Sequence, residues 1–170
     1  MLGIGGKELS EENAAQTAKA LNIIQPDFIR VHATGIKLES KLGEFVRDGS
    51  FTLQSEEEIV IEQKLFLQQL HEMDSYYVNE HIVNLLLEVR GNLRTEKQEM
   101  LSTIDRFLTL PPDERLLFTV GRRLNIFFRL DDLKKPKLHQ KAGESLQQIL
   151  SKNPHVDFGA LCNYVRQSQI

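Results

Sequence analysis

The stretch GIGGKELSEENAAQTAKALNIIQPDFIRVHA, residues 3–33, reads as a glycine turn, a helix and a strand, and the rest of the chain is placed relative to it. Gly3, Gly5 and Gly6 supply the backbone freedom of a tight turn. Ser10 is a natural N-cap, and Glu11 and Glu12 fall in the first helical turn, where the helix dipole favours negative charge. Ala14, Ala18 and Leu21, with Ala15 beside them, form a narrow stripe of small residues suited to close packing on a sheet. Pro26 stops the helix. From Asp27 to Ala33 the pattern alternates, with Ile29, Val31 and Ala33 on one face and Phe28, Arg30 and His32 on the other.

This is the second half of a strand–helix–strand crossover. A first strand takes roughly five residues, and only Met1 and Leu2 precede the glycines. The chain therefore reads as truncated. If a partner sheet exists, Ile29, Val31 and Ala33 lie under the helix while Arg30 and His32 face the other side. In a βα barrel that side is the lumen, and His32 falls near the C-terminal end of its strand, where such barrels place ligands.

Extended through TGIKLESKL, the same residues resemble the last turn of the partial βα barrel of radical S-adenosylmethionine (radical SAM) proteins. GSFTLQSEEEIVIEQKLFLQQL, YYVNEHIVNLLLEVRGNL and LPPDER resemble the helical tail that follows the barrel, so the similarity spans residues 1–130. The resemblance implies that Gly3, Gly5 and Gly6 help to seat the adenosyl part of the cofactor and that Arg30 and His32 contact cofactor or substrate. Intact relatives hold a 4Fe-4S cluster on a CxxxCxxC loop and cleave S-adenosylmethionine to a radical. That loop is absent here, and Thr34-Gly35-Ile36-Lys37-Leu38 stands where relatives often carry an Arg-Pro-Gly-Thr stretch. The implied role is the C-terminal portion of an iron-sulfur protein, inactive alone, with no catalytic residue and no metal ligand of its own. Its partner would be the missing N-terminal barrel half, or a second copy met through the exposed strand. The alternative is a non-enzymatic helical protein-interaction module, with the apolar stripes Ile59 to Leu70 and Leu116 to Phe128 partly serving a partner.

The expected fold is mainly α with a remnant of an α/β barrel: one helix–strand unit followed by about five to seven helices. It divides into residues 1–50, the remnant; 51–133, the helical tail; and 134–170, a C-terminal helical extension. Leu38, Leu42, Phe45 and Val46 mark a short amphipathic helix ended by Gly49. Phe51 to Leu53 suit a brief extended segment. Ser55, followed by three glutamates, caps a helix that must be covered on more than one side. Asn79 to Gly91 has helical spacing at Ile82, Leu85, Leu86 and Val89, which puts His81, Asn84 and Glu88 together on the opposite face. Thr95 with Gln98 suits a capping box, Pro112 an N1 position, and two further helices carry Leu146, Ile149 and Leu150, then Phe158, Leu161, Cys162 and Val165. Short extended segments around Phe51 or Tyr76 are the candidates to cover the exposed strand.

A formal charge of −3 supplies no global field toward nucleic acid or anionic lipid. The segment 113–141 is locally basic and suits either a solvated face or an acidic partner. Cys162 is the lone cysteine, which excludes an internal disulfide and an all-cysteine metal site. With no apolar run near the roughly 20 residues that cross a bilayer, and no basic-then-apolar leader, the expectation is a cytoplasmic protein. The glycines fall short of a phosphate-binding fingerprint, His71, His139 and His155 have no companions at ligand spacing, and Cys162 sits in an apolar stripe as a small hydrophobe.

Overall fold

A computed structural model describes residues 1–169. It is mainly helical, with seven α-helices and a three-stranded sheet. Helix α1 (Ser10–Ile24) lies against α3 (Glu56–Gln69). Ala14 and Ala18 are buried at that contact, so their missing side-chain bulk is what lets the helix approach. Gln25 takes a left-handed conformation, φ 48°, just before Pro26 and closes α1. Ser10 is the first helical residue and does not cap. Leu9 holds the cap position, because the Ser10 hydroxyl is drawn away to donate to the buried carboxylate of Glu62 at 3.1 Å.

The paired strand β1 (Phe28–Arg30) is shorter than the alternation predicts, yet the alternation itself holds. Ile29, Val31 and Ala33 are buried, Phe28 and Arg30 exposed, and His32 half-buried. Strand β2 (Tyr76–Val78) runs parallel to β1, and β3 (Gly91–Asn92) runs antiparallel to β2, giving the order β1-β2-β3. The extended segment around Tyr76 thus covers one edge of β1. On the other edge Leu2 forms a single parallel bridge with Ala33, donating from its amide to His32 O at 2.9 Å and accepting from Thr34 N at 2.8 Å. Phe51 to Leu53 form no strand; Thr52 O accepts from Lys7 N and ties that segment to the glycine turn.

The expected helix over Asn79 to Gly91 does not form. Of its expected stripe Leu85, Leu86 and Val89 are buried and Ile82 half-buried, but Val83 and Asn84 from the other faces are buried too, and the backbone is a succession of turns. The physical reason is competition by side chains for backbone groups. Asn79 Nδ2 donates to Leu86 O at 2.6 Å, and the carbonyls of Ile82, Val83 and Asn84 are taken by Arg122 and Arg123. Gly91, with φ 150°, serves β3 in place of ending a helix.

Helix α2 (Lys41–Arg47) is capped by Ser40 and followed by Gly49 at φ 79°. Ser55 and Glu58 form the full capping box of α3. Helix α4 (Lys97–Leu108) begins later than the Thr95 box predicts, because the Asn92 side chain and the Glu96 carboxylate organise the preceding turn. Helix α5 (Pro112–Arg123) starts with Pro112 at N1; a 3-10 turn, Leu130–Lys134, leads to α6 (Pro136–Lys152) and α7 (Phe158–Ser168). One cluster of buried apolar residues runs from Leu2 through Tyr77, Leu86, Ile104, Phe118 and Phe127 to Ala142.

Candidate functional site

The pleat of β1 and β2 leaves one sheet face uncovered. From the N-terminal to the C-terminal end of the parallel pair it carries Phe28 beside Tyr76, ring centroids 6.3 Å apart, then Arg30 opposite Val78. Beyond the paired residues it carries His32 stacked on His81, centroids 4.2 Å apart with planes tilted by 35°. His81 Nδ1 accepts from Val83 N at 3.4 Å, which leaves Nε2 as the nitrogen that carries the proton of the neutral ring. Burial holds His32 below the ordinary histidine range, and the neighbouring charges of His81, Arg30 and the Met1 amino group act in the same direction.

The backbone behind these histidines is fixed by two asparagines. Asn84 donates to Val31 O at 2.9 Å and accepts from Ala33 N at 2.7 Å, standing in for the next residue of a neighbouring strand. Asn163 of α7 does the same for Ile36, with both contacts at 3.4 Å. Asn84 is held in turn through its own carbonyl, which accepts from Arg122. Its neighbour Arg123 clamps Glu56 with two bonds of 3.0 and 2.6 Å. Arg166 of α7 approaches the same carboxylate to 3.5 Å. Burial alone would push the Glu56 carboxyl up, but Arg123 and then Arg166 outweigh it and hold it below the usual range. Burial, helped by Arg123, brings Arg122 down to about 10.

The glycine turn is built into the protein. Gly3 takes φ 81° and its amide donates to both oxygens of Glu62, at 3.2 Å each; Glu62 also accepts from Asn13 Nδ2 at 2.6 Å. Gly6, at φ 64°, lies so near the chain that a Cβ there would stand 3.0 Å from Thr52 O. Gly5 lies between them, half-buried. The turn thus faces Glu62 and Thr52, while the Arg30 and His32 side chains face the open sheet; Leu2, just before Gly3, bonds the backbone at His32 and Thr34.

His81, Asn84 and Glu88, expected on one helix face, are separated by the loop. His81 meets His32, Asn84 faces Val31 and Ala33, and Glu88 Oε1 accepts from Leu130 N at 2.6 Å. Burial pushes the Glu88 carboxyl up, and it lines a cavity of about 530 Å³ with Tyr76, Arg90, Phe128 and Arg129. Much of the basic segment 113–141 is internally partnered. Arg122 and Arg123 are buried, Arg115 pairs with Glu57, Lys134 with Asp131 and Lys135 with Asp132. Cys162 is buried, and burial pushes its thiol up to about 12. His139 contacts Glu114 at 3.1 Å. Among the described residues no three His, Cys, Asp or Glu side chains gather to hold a metal, and no helix is long and apolar enough to cross a membrane.

Sequence reasoning placed Arg30 and His32 on one face but missed His81, whose proximity depends on a loop that looks helical in its spacing. The parallel register of β1 and β2, Arg30 opposite Val78, brings the segments that follow the two strands side by side and has no local signal. No family model, curated protein or solved structure matches the chain.

Proposed function

We propose that the chain is the C-terminal portion of a radical SAM-like iron-sulfur protein, supplying a strand of the partial barrel and its helical tail, and that it does not turn over alone. One observation supports this reading above the others. Leu2, β1 and β2 lie side by side as parallel extended segments, the first two joined through α1 and the last two through α2 and α3, with the polar side chains of β1 on the face away from α1, as in the wall of a βα barrel. Arg30 and His32 are then lumen residues toward S-adenosylmethionine or substrate, and Gly3, Gly5 and Gly6 shape the preceding turn.

The residues present do not fit the cluster itself. Three thiolates are needed, whereas this chain has one cysteine, buried and hard to ionise. The cluster belongs to the other half of the barrel, which docks along the edge of β1 next to Leu2; without that half, a second copy takes its place at the edge. A cytoplasmic setting suits a lone reduced thiol.

Reconstitution of the chain with iron and sulfide, followed by absorption and cofactor cleavage, tests the first part: a stable cluster with cleavage activity overturns it. In a complete protein carrying a CxxxCxxC loop, Arg30→Ala and His32→Ala weaken cofactor binding; unchanged affinity in both removes the assignment. The DNA immediately upstream discriminates further, since an encoded strand and CxxxCxxC loop favours this reading. An unrelated gene there favours the interaction module, for which the exposed Leu124 and Phe128 at the end of the α5 stripe are the anchors.

A further inference from the structure

The C-terminal end of the open sheet face gathers basic groups without an acid among them. Arg30 reaches it from β1, His32 from the segment that follows, and His81 from the loop after β2. The charged groups that face His32 are His81, Arg30 and the Met1 amino group. Arg30 forms no salt bridge among the described residues, so its five N–H donors are free. The nearby acid Glu80 is already paired with Arg90. Stacking sets the two imidazoles side by side, and because the Val83 amide donates to Nδ1 of His81, its Nε2 carries the proton of the neutral ring and is left as a donor. Asn84 and Leu2 immobilise the backbone of Val31, His32, Ala33 and Thr34 behind them.

We propose that Arg30, His32 and His81 form a binding site for the oxyanion group of a small ligand, a phosphoryl or carboxylate group lying across the C-terminal end of this face. The assignment rests on the reading that the face receives a ligand, and it adds the ligand's chemistry and a third residue. A planar guanidinium beside two imidazoles matches an oxyanion with several acceptor atoms. Protonation of the His32 imidazole strengthens the contact, and because burial holds that group below the ordinary histidine range, affinity rises as pH falls through this lowered value.

The test uses the chain itself with sodium phosphate and, in a separate arm, sodium acetate, each at ionic strength matched with sodium chloride, and follows the histidine ring signals by NMR. Phosphate or acetate is expected to shift the His32 and His81 ring signals saturably at about pH 5, with affinity falling severalfold by about pH 8 as the His32 imidazole loses its proton. Whichever anion binds more tightly names the phosphoryl or the carboxylate source. Arg30→Gln and His81→Phe each weaken binding about tenfold, as expected for loss of a charge-assisted contact, whereas Lys19→Gln on the far helix leaves it unchanged. Ring signals that move no more with either anion than with chloride overturn the proposal, as does undiminished binding in both variants. Those results leave the barrel reading standing, because cluster formation and cofactor cleavage decide that one separately.

Discussion

The segments Ser55–Gln69 and Asn79–Gly91 carry equally good helical spacing, and only the first is a helix. In the first, Ser55 and Glu58 close a capping box, and the backbone satisfies itself from within. In the second, asparagine and arginine side chains from within and from α5 take the carbonyls that a helix would have used. Periodicity marks most of the buried apolar residues in both, though in the second Val83 and Asn84 are buried outside the expected stripe. It does not record where the backbone hydrogen bonds go, and that accounting decides the conformation.

The comparison is broken most severely at Arg123. Arg123→Met leaves Glu56 buried without its bidentate partner and frees Val83 O, so a loss of about 3–5 kcal/mol is expected from urea unfolding. Acid tests the same lock. Because the folded-state pKa of Glu56 is lowered, its contribution is present above the unfolded carboxyl range and is lost as pH falls through the folded value. The urea midpoint should therefore drop on acidification, and Glu56→Gln should be less stable at neutral pH and less sensitive to acid.

Asn84→Ala comes next. It leaves Val31 O and Ala33 N unpaired in the interior, and about 2–3 kcal/mol is expected, with faster amide exchange at Ala33. Ser55→Ala removes one cap from a helix that keeps its other bonds, and about 1 kcal/mol is expected from thermal or urea unfolding. The larger cost in the loop is what side-chain control of its backbone requires; equal costs would blur the distinction.

Glu88 sharpens it with the smallest effect. Burial raises its folded-state pKa, so its contribution to stability is fullest below the unfolded carboxyl range and is lost as pH rises through the folded value. Glu88→Gln should gain on the parent as pH rises, by about 1 kcal/mol or less in urea midpoints.

The legible parts of the fold were those settled within a few residues. The alternation of Ile29, Val31 and Ala33, the Ser55 cap, Pro112 at N1 and the final two helices all follow from local stereochemistry. Ser10 misled because a carboxylate in another helix, Glu62, competes for its hydroxyl. The sheet was only half legible, since Tyr76 is marked as extended by composition but its partner and direction are set by long-range packing. At the site, the alternation exposes Arg30 and His32 to view, while His81 depends on a loop whose conformation is dictated from α5.

Asn84 and Asn163 also act as stoppers. A sheet that simply ran out beyond Arg30 would offer bare amides and carbonyls as a template for further strands, and two primary amides occupy those positions first. Along β1, growth of the sheet is thereby confined to the short margin of Phe28–Arg30 on the side away from β2, so any chain that adds there is limited to a few rungs.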